Sequence, residues 1–266
     1  MTVVDEVAGD AVAVAAAVAA AVDDRLDDLL SDTAELVGMD SPTFDVPRLD
    51  ATAAAIASIG TRLGLDVAVL PGADNGVYVQ ASIDGNGDDE VVLLCHHDTV
   101  FPVGTCGQWG FSVDDDHMYG PGVVDMKGGI TLGLHTMAAL QRVKDAYGRV
   151  RLLSVPDEEE RDGPPLYLPT DAAALVLTLE CGRENRDIVS ARKAGAWLRL
   201  HFRGRAAHAG VDPDAGHNAA VKAAAEALRI AALHRGRPGL SVTVTGLTGG
   251  VGINTVPPEA TVTVDV

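Results

Sequence analysis

The sequence predicts an α/β fold, a sheet covered by helices on both faces, with a small α+β domain after it. Three observations predict this. Up to Glu180, short apolar runs rich in Val, Leu and Ile alternate with longer helical stretches, and continuous apolar strands mark a sheet buried on both sides. From about residue 194 the order becomes alternating strand, Ala-rich helix and two more alternating strands, a β-α-β-β string typical of a small α+β domain. The 266 residues, 47% of them hydrophobic, suffice for one large domain or two smaller ones with buried cores.

The elements follow in order. "AVAVAAAVAAAV" (11–22) reads as an Ala-rich helix. It resembles the apolar part of a signal peptide, but Asp5, Glu6 and Asp10 precede it where positive charge belongs, and it is too short to span a bilayer. Residues 23–39 form a second helix with Leu26, Leu29, Leu30, Ala34 and Val37 on one face. The prolines of "SPTFDVP" mark a loop before a helix over 47–64. Strands are expected at 66–70, 76–83 and 90–96, with "DGNGDD" as hairpin-turn chemistry between the last two. A helix over 126–143, a strand over 148–155 and an apolar run over 173–180 complete this part. Beyond it, 194–204, 240–249 and 259–266 read as strands and 218–234 as a helix.

Charge and cysteine content narrow the function classes. With 38 acidic against 20 basic residues the formal charge is −18. Such a surface repels phosphate backbones and anionic lipid, so neither nucleic acid nor membrane is an expected partner. Three cysteines form no regular framework. That fits a reducing compartment, and a cytoplasmic location is the expectation.

Open α/β sheets place ligands at the carboxyl ends of their strands. Here "VVLLCHHD" ends in His96, His97 and Asp98, "YGPGVVDMKGG" puts Asp125 before a helix, "LLSVPDEEE" ends in Asp157 to Glu160, and "LVLTLE" ends in Glu180. Nitrogen and carboxylate ligands from separate strands are how a hydrolytic zinc site is assembled. In His-x-Asp on a strand the two side chains share a face, so Asp98 can brace the imidazole of His96 while His97 points away. Adjacent glutamates can divide labour between binding metal and holding a proton.

Five ordered stretches, "HHDTVFPVGTCGQWGF", "MYGPGVVDMKGG", "VPDEEE", "LTLECGRENRDIVSARKAGAWLRLHFRGRAAHAG" and "GINTVPPEATVTVDV", resemble the M20 family of metallopeptidases, nearest its glutamate-carboxypeptidase-like branch. The resemblance implies a three-layer α/β/α catalytic domain (1–187) and an inserted, ferredoxin-like α+β lid or dimerisation domain (188–266). It implies two zinc ions per site. His96 and Glu180 would bind one, Asp125 would bridge, and Glu159 would bind the second. Glu158 would be the general base and Asp98 would orient His96. The peptide bond after Asp125 would be cis. In the lid, His208 and Asn254 would contact substrate, a small peptide or N-acyl amino acid cleaved next to a carboxylate, and the lid would pair into a homodimer.

The sequence also departs from the pattern. Cys95 stands where glycine is usual and Cys181 where proline is common; beside two ligands they could be extra soft ligands or a redox pair, and the favoured reading is small buried fillers. The run Glu158-Glu159-Glu160 leaves a second register, with Glu159 as base and Glu160 as ligand. The family's final histidine and arginine have no counterpart before Val266, so the chain reads as truncated. An inactive dimerisation or ligand-binding remnant is the alternative to an active hydrolase.

Overall fold

The computed structural model describes residues 3–72, 75–160, 168–182 and 187–266, with side chains from Ala11 onward. The chain forms two compact units, Met1–Arg186 and Asp187–Val266.

The first unit opens with α1 (Val3–Asp23), α2 (Leu26–Val37) and α3 (Val46–Arg62). Asp45 caps α3 by accepting from Arg48 N, and Pro47 occupies the first turn, where its missing N–H costs nothing. Next come β1 (Asp66–Leu70), β2 (Tyr78–Asp84) and β3 (Glu90–His96). A short helix α4 (Thr105–Trp109) and a two-residue ladder between β4 (Ser112–Val113) and β5 (Met118–Tyr119) follow; neither stands out in the sequence pattern. The unit continues with α5 (Gly128–Leu140), β6 (Arg149–Val155) and β7 (Leu175–Thr178).

The five-stranded sheet has the order β1-β2-β6-β3-β7, antiparallel for the first two pairings and parallel for the last two. This corrects the expected hairpin. β6 inserts between β2 and β3, so "DGNGDD" does not join neighbouring strands. Its polar backbone instead bonds the approach to β6, with Asn86 N donating to Lys144 O and Gly87 N to Tyr147 O, at 2.8 and 2.9 Å. Turn-forming residues report a reversal of the chain; which strand lies alongside is a tertiary matter.

Helices α3 and α5 cover one face of the sheet. Ile56, Ile59, Ile130, Leu134 and Met137 meet Val79, Ala81, Leu93 and Leu152, all buried. Each large side chain of this kind contributes about 1.5–3 kcal/mol over leaving it exposed. Gly129 lets α5 approach the chain beyond β7, since a Cβ there would lie 2.3 Å from Leu179 O. Inside the helix layer, Asp32 of α2 pairs with Arg62 of α3 and lies 2.8 Å from His135 Nε2 of α5, tying three helices together. On the other face Tyr78, Leu153 and Val155 are buried with Leu70, Leu94 and Leu168 against them. β7 is an edge: Leu175, Val176 and Leu177 are 36–49% exposed.

The second unit is the β-α-β-β string read from the sequence. Strands β8 (Trp197–Arg203), β9 (Thr243–Gly249) and β10 (Glu259–Asp265) pair antiparallel in the order β8-β10-β9. Helix α6 (Ala219–Ala231), capped by Asn218, packs its small residues Ala219, Ala223 and Ala227 and Ile230 onto Ala260, Val262 and Val264.

Candidate metal centre

β3 carries its last residues out of the sheet at the carboxyl ends of the parallel strands. His96, His97 and Asp98 are all buried, at 0–1% exposure. The alternation of the strand separates the two histidines. His96 directs Nδ1 at Asp98 Oδ1 (3.2 Å) and Nε2 at Asp125 Oδ1 (3.0 Å) and Glu180 Oε1 (3.6 Å). His97 turns to β6, where its Nδ1 lies 3.0 Å from Ser154 Oγ.

Asp125 arrives from a tight turn, Val123–Lys127, ahead of α5. Gly122 opens that turn at φ 71°, a left-handed conformation natural to glycine, and a Cβ there would lie 2.8 Å from Thr99 Cγ2. The Asp125–Met126 peptide bond is cis, as the family resemblance implies. Met126 is buried and its Sδ accepts from His96 N at 3.1 Å. Glu180 follows β7 by two residues.

Ligand-capable atoms of His96, Asp125 and Glu180 all lie within 4.8 Å of one another, the group of this kind found among the described residues. Glu159 is not in that group. Asp98 instead joins the glutamates to the histidine: its Oδ1 accepts from Glu158 N (3.1 Å) and its Oδ2 from Glu159 N (3.0 Å) and Thr43 Oγ1 (2.7 Å). Thr43 is the contact that the sequence reading passed over, because "SPTFDVP" shows only as a loop.

The electrostatics follow from this crowding. Burial alone would lower the His96 pKa, but the hydrogen bond and charge of Asp98 and the charges of Glu158 and Glu180 raise it to about 9. Burial raises Glu159 to about 7, helped by the charge of Asp125 and opposed by that of His96. Glu180 is raised as well, by burial and by Asp125 and Glu158, against the pull of His96. Burial pushes His97 down to about 3, leaving it neutral. An imidazole nitrogen and carboxylates that repel one another are a donor set that a divalent cation satisfies, since its charge offsets the repulsion. The residues present fit such an ion.

Beside this group is a hollow of about 350 Å³ lined by Leu94, Cys95, Met126, Val155, Leu168 and Thr178 together with His96, Glu158 and Glu180. A larger hollow of about 1190 Å³ between α1 and α5 is lined mainly by aliphatic side chains and contains none of the candidate ligands. Cys95 is buried, with its thiol 3.5 Å from Leu153 O and its pKa pushed up to about 12 by burial. Cys181 is exposed, which corrects its reading as a buried filler. Its chain leaves the edge strand β7, and no described element covers it there.

In the second unit the two candidates lie on neighbouring backbone segments. His208 and Thr255 form an antiparallel bridge, Ala209 N donates to Asn254 O at 2.9 Å, and Gly210 N donates to His208 Nδ1 at 3.2 Å. Both His208 and Asn254 are exposed. His117, His201 and His217 are also exposed; His135 is buried against Asp32, and His234 Nδ1 lies 3.1 Å from both Val242 N and Val242 O.

The sequence pattern described as Peptidase family M20/M25/M40 matches residues 92–250, more than half of the chain. The chain belongs to this family. The family is one of peptidases, and the chain shares their descent. Among curated proteins, carboxypeptidase G2 of Pseudomonas sp. (strain RS-16) is 30% identical over 240 residues, covering 87% of this chain and 58% of that protein. The chain thus spans less than two thirds of that relative. Among solved structures, aminopeptidase PepT from Bacillus cereus ATCC 10987 matches with a TM-score of 0.66 at 22% identity, covering 89% of this chain and 65% of that one. The Bacillus subtilis YXEP protein, described as a dinuclear metal-binding peptidase from the M20 family, matches with a TM-score of 0.59 at 15% identity over 90% of this chain and 64% of that one. At these identities the two structures bear on the fold alone, which this chain shares with them.

Proposed function

We propose that the chain carries the catalytic residues of a zinc-dependent hydrolase that cleaves an amide bond next to a carboxylate, as in a C-terminal amino acid or an N-acyl amino acid. The observation that carries the reading is the convergence of His96 Nε2, Asp125 and Glu180, with His96 braced from behind by a buried carboxylate. His96 and Glu180 are assigned to one zinc, Asp125 to both, and Glu159 to the second. Zinc bound there would polarise the scissile carbonyl and make water a better nucleophile near neutral pH.

The chain's own groups do the rest. Asp98 holds the imidazole and accepts from the backbone of both glutamates, and Glu158 is assigned as base and Glu159 as ligand, the register that the preceding Asp157 favours. Glu158, exposed beside the hollow, takes a proton from the attacking water and returns it to the leaving amine. The unit at 187–266 is assigned as lid and homodimerisation domain, its exposed His208 and Asn254 receiving the substrate carbonyl or carboxylate.

The test is metal content followed by turnover. After dialysis against trace zinc, elemental analysis is expected to find about two zinc ions per folded chain. Hydrolysis of N-acyl and C-terminal glutamate substrates should accompany them. A folded sample that retains no zinc refutes the proposal; one ion per chain removes the second assignment, and with it the role of Glu159.

A further inference from the structure

Thr43 lies in the loop between α2 and α3, and that loop is stitched to the segment leaving β3. Asp40 accepts from Gly104 N (2.6 Å) and Cys106 N (3.0 Å), Thr99 N donates to Ser41 O (2.8 Å), and Pro42 and Thr99 form a parallel bridge. The stitching ends at Thr43, whose hydroxyl donates to Asp98 Oδ2 at 2.7 Å, the shortest contact that this carboxylate makes.

A second observation concerns the backbone. The next residue, Phe44, has φ 71°, a left-handed conformation that is an outlier for a bulky residue. Its side chain is not buried in exchange, since Phe44 is 55% exposed. Such a conformation is strained and persists where surrounding contacts impose it. Here the neighbouring contacts tie the loop to Thr99, Gly104 and Cys106 and, through Thr43, to Asp98.

Asp98 has two side-chain oxygens and, among the described residues, four partners for them: His96 Nδ1 and Glu158 N on one, Glu159 N and Thr43 Oγ1 on the other. The side-chain torsion that sets the carboxylate plane is intrinsically broad. Only its partners fix it. Losing the hydroxyl leaves Oδ2 with a single backbone donor, and a rotation of the carboxylate displaces the His96 ring and the Glu158–Glu159 backbone together. We propose that Thr43 is a positioning residue for the metal centre, acting through Asp98 on His96 and on both glutamates at once. The inference rests on the reading of this cluster as a metal site.

The test uses the full chain with Thr43→Val, which keeps the shape and removes the hydroxyl, and Thr43→Ser, which keeps the hydroxyl. Zinc affinity is measured by chelator competition, and hydrogen exchange at the Glu158 and Glu159 amides is followed in the metal-free protein. Partners that orient metal ligands typically carry 10–100-fold in affinity; for one of four contacts, Thr43→Val is expected to weaken zinc binding about tenfold. It should speed exchange at both amides, with Thr43→Ser close to wild type in both readouts. A loop with a purely structural role would lower the unfolding temperature without this rescue pattern in zinc affinity. Zinc affinity and amide exchange unchanged in Thr43→Val overturn the inference. His96→Ala, run in parallel, keeps the two failures apart: if it binds zinc like wild type, the metal-site reading is wrong and the inference falls for that separate reason.

Discussion

The two compact units hold their candidate residues in opposite ways. In 1–186, His96 and Asp98 are buried and cross-braced, and contacts reach them from the loop after α2, from the turn before α5 and from the ends of β6 and β7. In 187–266, His208 and Asn254 are exposed, and the hydrogen bonds that place them are largely backbone bonds between two loops. The first arrangement is preorganised, with little left to order when a cation binds. The second leaves its side chains exposed and free to reorient. A site that must hold an ion to a fraction of an ångström needs the first kind of support; one that admits and releases a substrate can use the second.

The comparison predicts a graded series of effects. The largest should come from His96→Ala and Asp125→Ala, each abolishing zinc retention in elemental analysis, because each removes a converging donor. Asp98→Ala should come next, weakening zinc by about 10–100-fold and lowering the unfolding temperature, since it also strips the Glu158 and Glu159 amides of their acceptor. An Asp98→Ala protein with wild-type affinity would show that the bracing has no role in binding.

A smaller, pH-dependent effect separates the two adjacent histidines. His97 has its folded pKa lowered to about 3 from 6.5, so between those values the native state binds fewer protons than the unfolded chain. Its contribution is full above pH 6.5 and is lost as pH falls towards 3, at up to about 1.4 kcal/mol per pH unit. In chemical denaturation, wild type should therefore lose stability relative to His97→Gln on acidification below pH 6.5. Zinc affinity of His97→Ala near neutral pH should stay within about twofold of wild type, as the ring faces Ser154 and not the cluster. The smallest effects on metal and stability belong to the second unit. His208→Ala and Asn254→Ala should leave zinc content unchanged and stability within about 0.5 kcal/mol, while lowering kcat/KM if the lid assignment is right. A loss of zinc in either variant would erase the contrast between the units.

The ends of most elements, the cluster of candidate ligands at the strand ends and the β-α-β-β string were legible from pattern alone. Apolar periodicity and turn residues are local properties that the chain displays in one dimension. Local signals could not show that β6 inserts between β2 and β3, because pairing partners are chosen by burial across the whole sheet. Nor could they place Cys181 on the surface beyond an edge strand.

The amino-acid sequence by itself determined the chemistry available: one histidine with an aspartate two residues on, and carboxylates at three other strand ends or adjoining turns. Tertiary structure decided which of these meet. It brought Asp125 and Glu180 onto the free nitrogen of His96, left Glu159 outside that trio, and set Asp98 against both His96 and the backbone of the two glutamates. It also drew in Thr43, 55 residues away in sequence, beside a backbone conformation at Phe44 that no residue pattern announces. The reason is physical. Composition and spacing set which groups can bond, whereas a buried carboxylate takes its donors from whatever segments the folded core brings within about 3 Å.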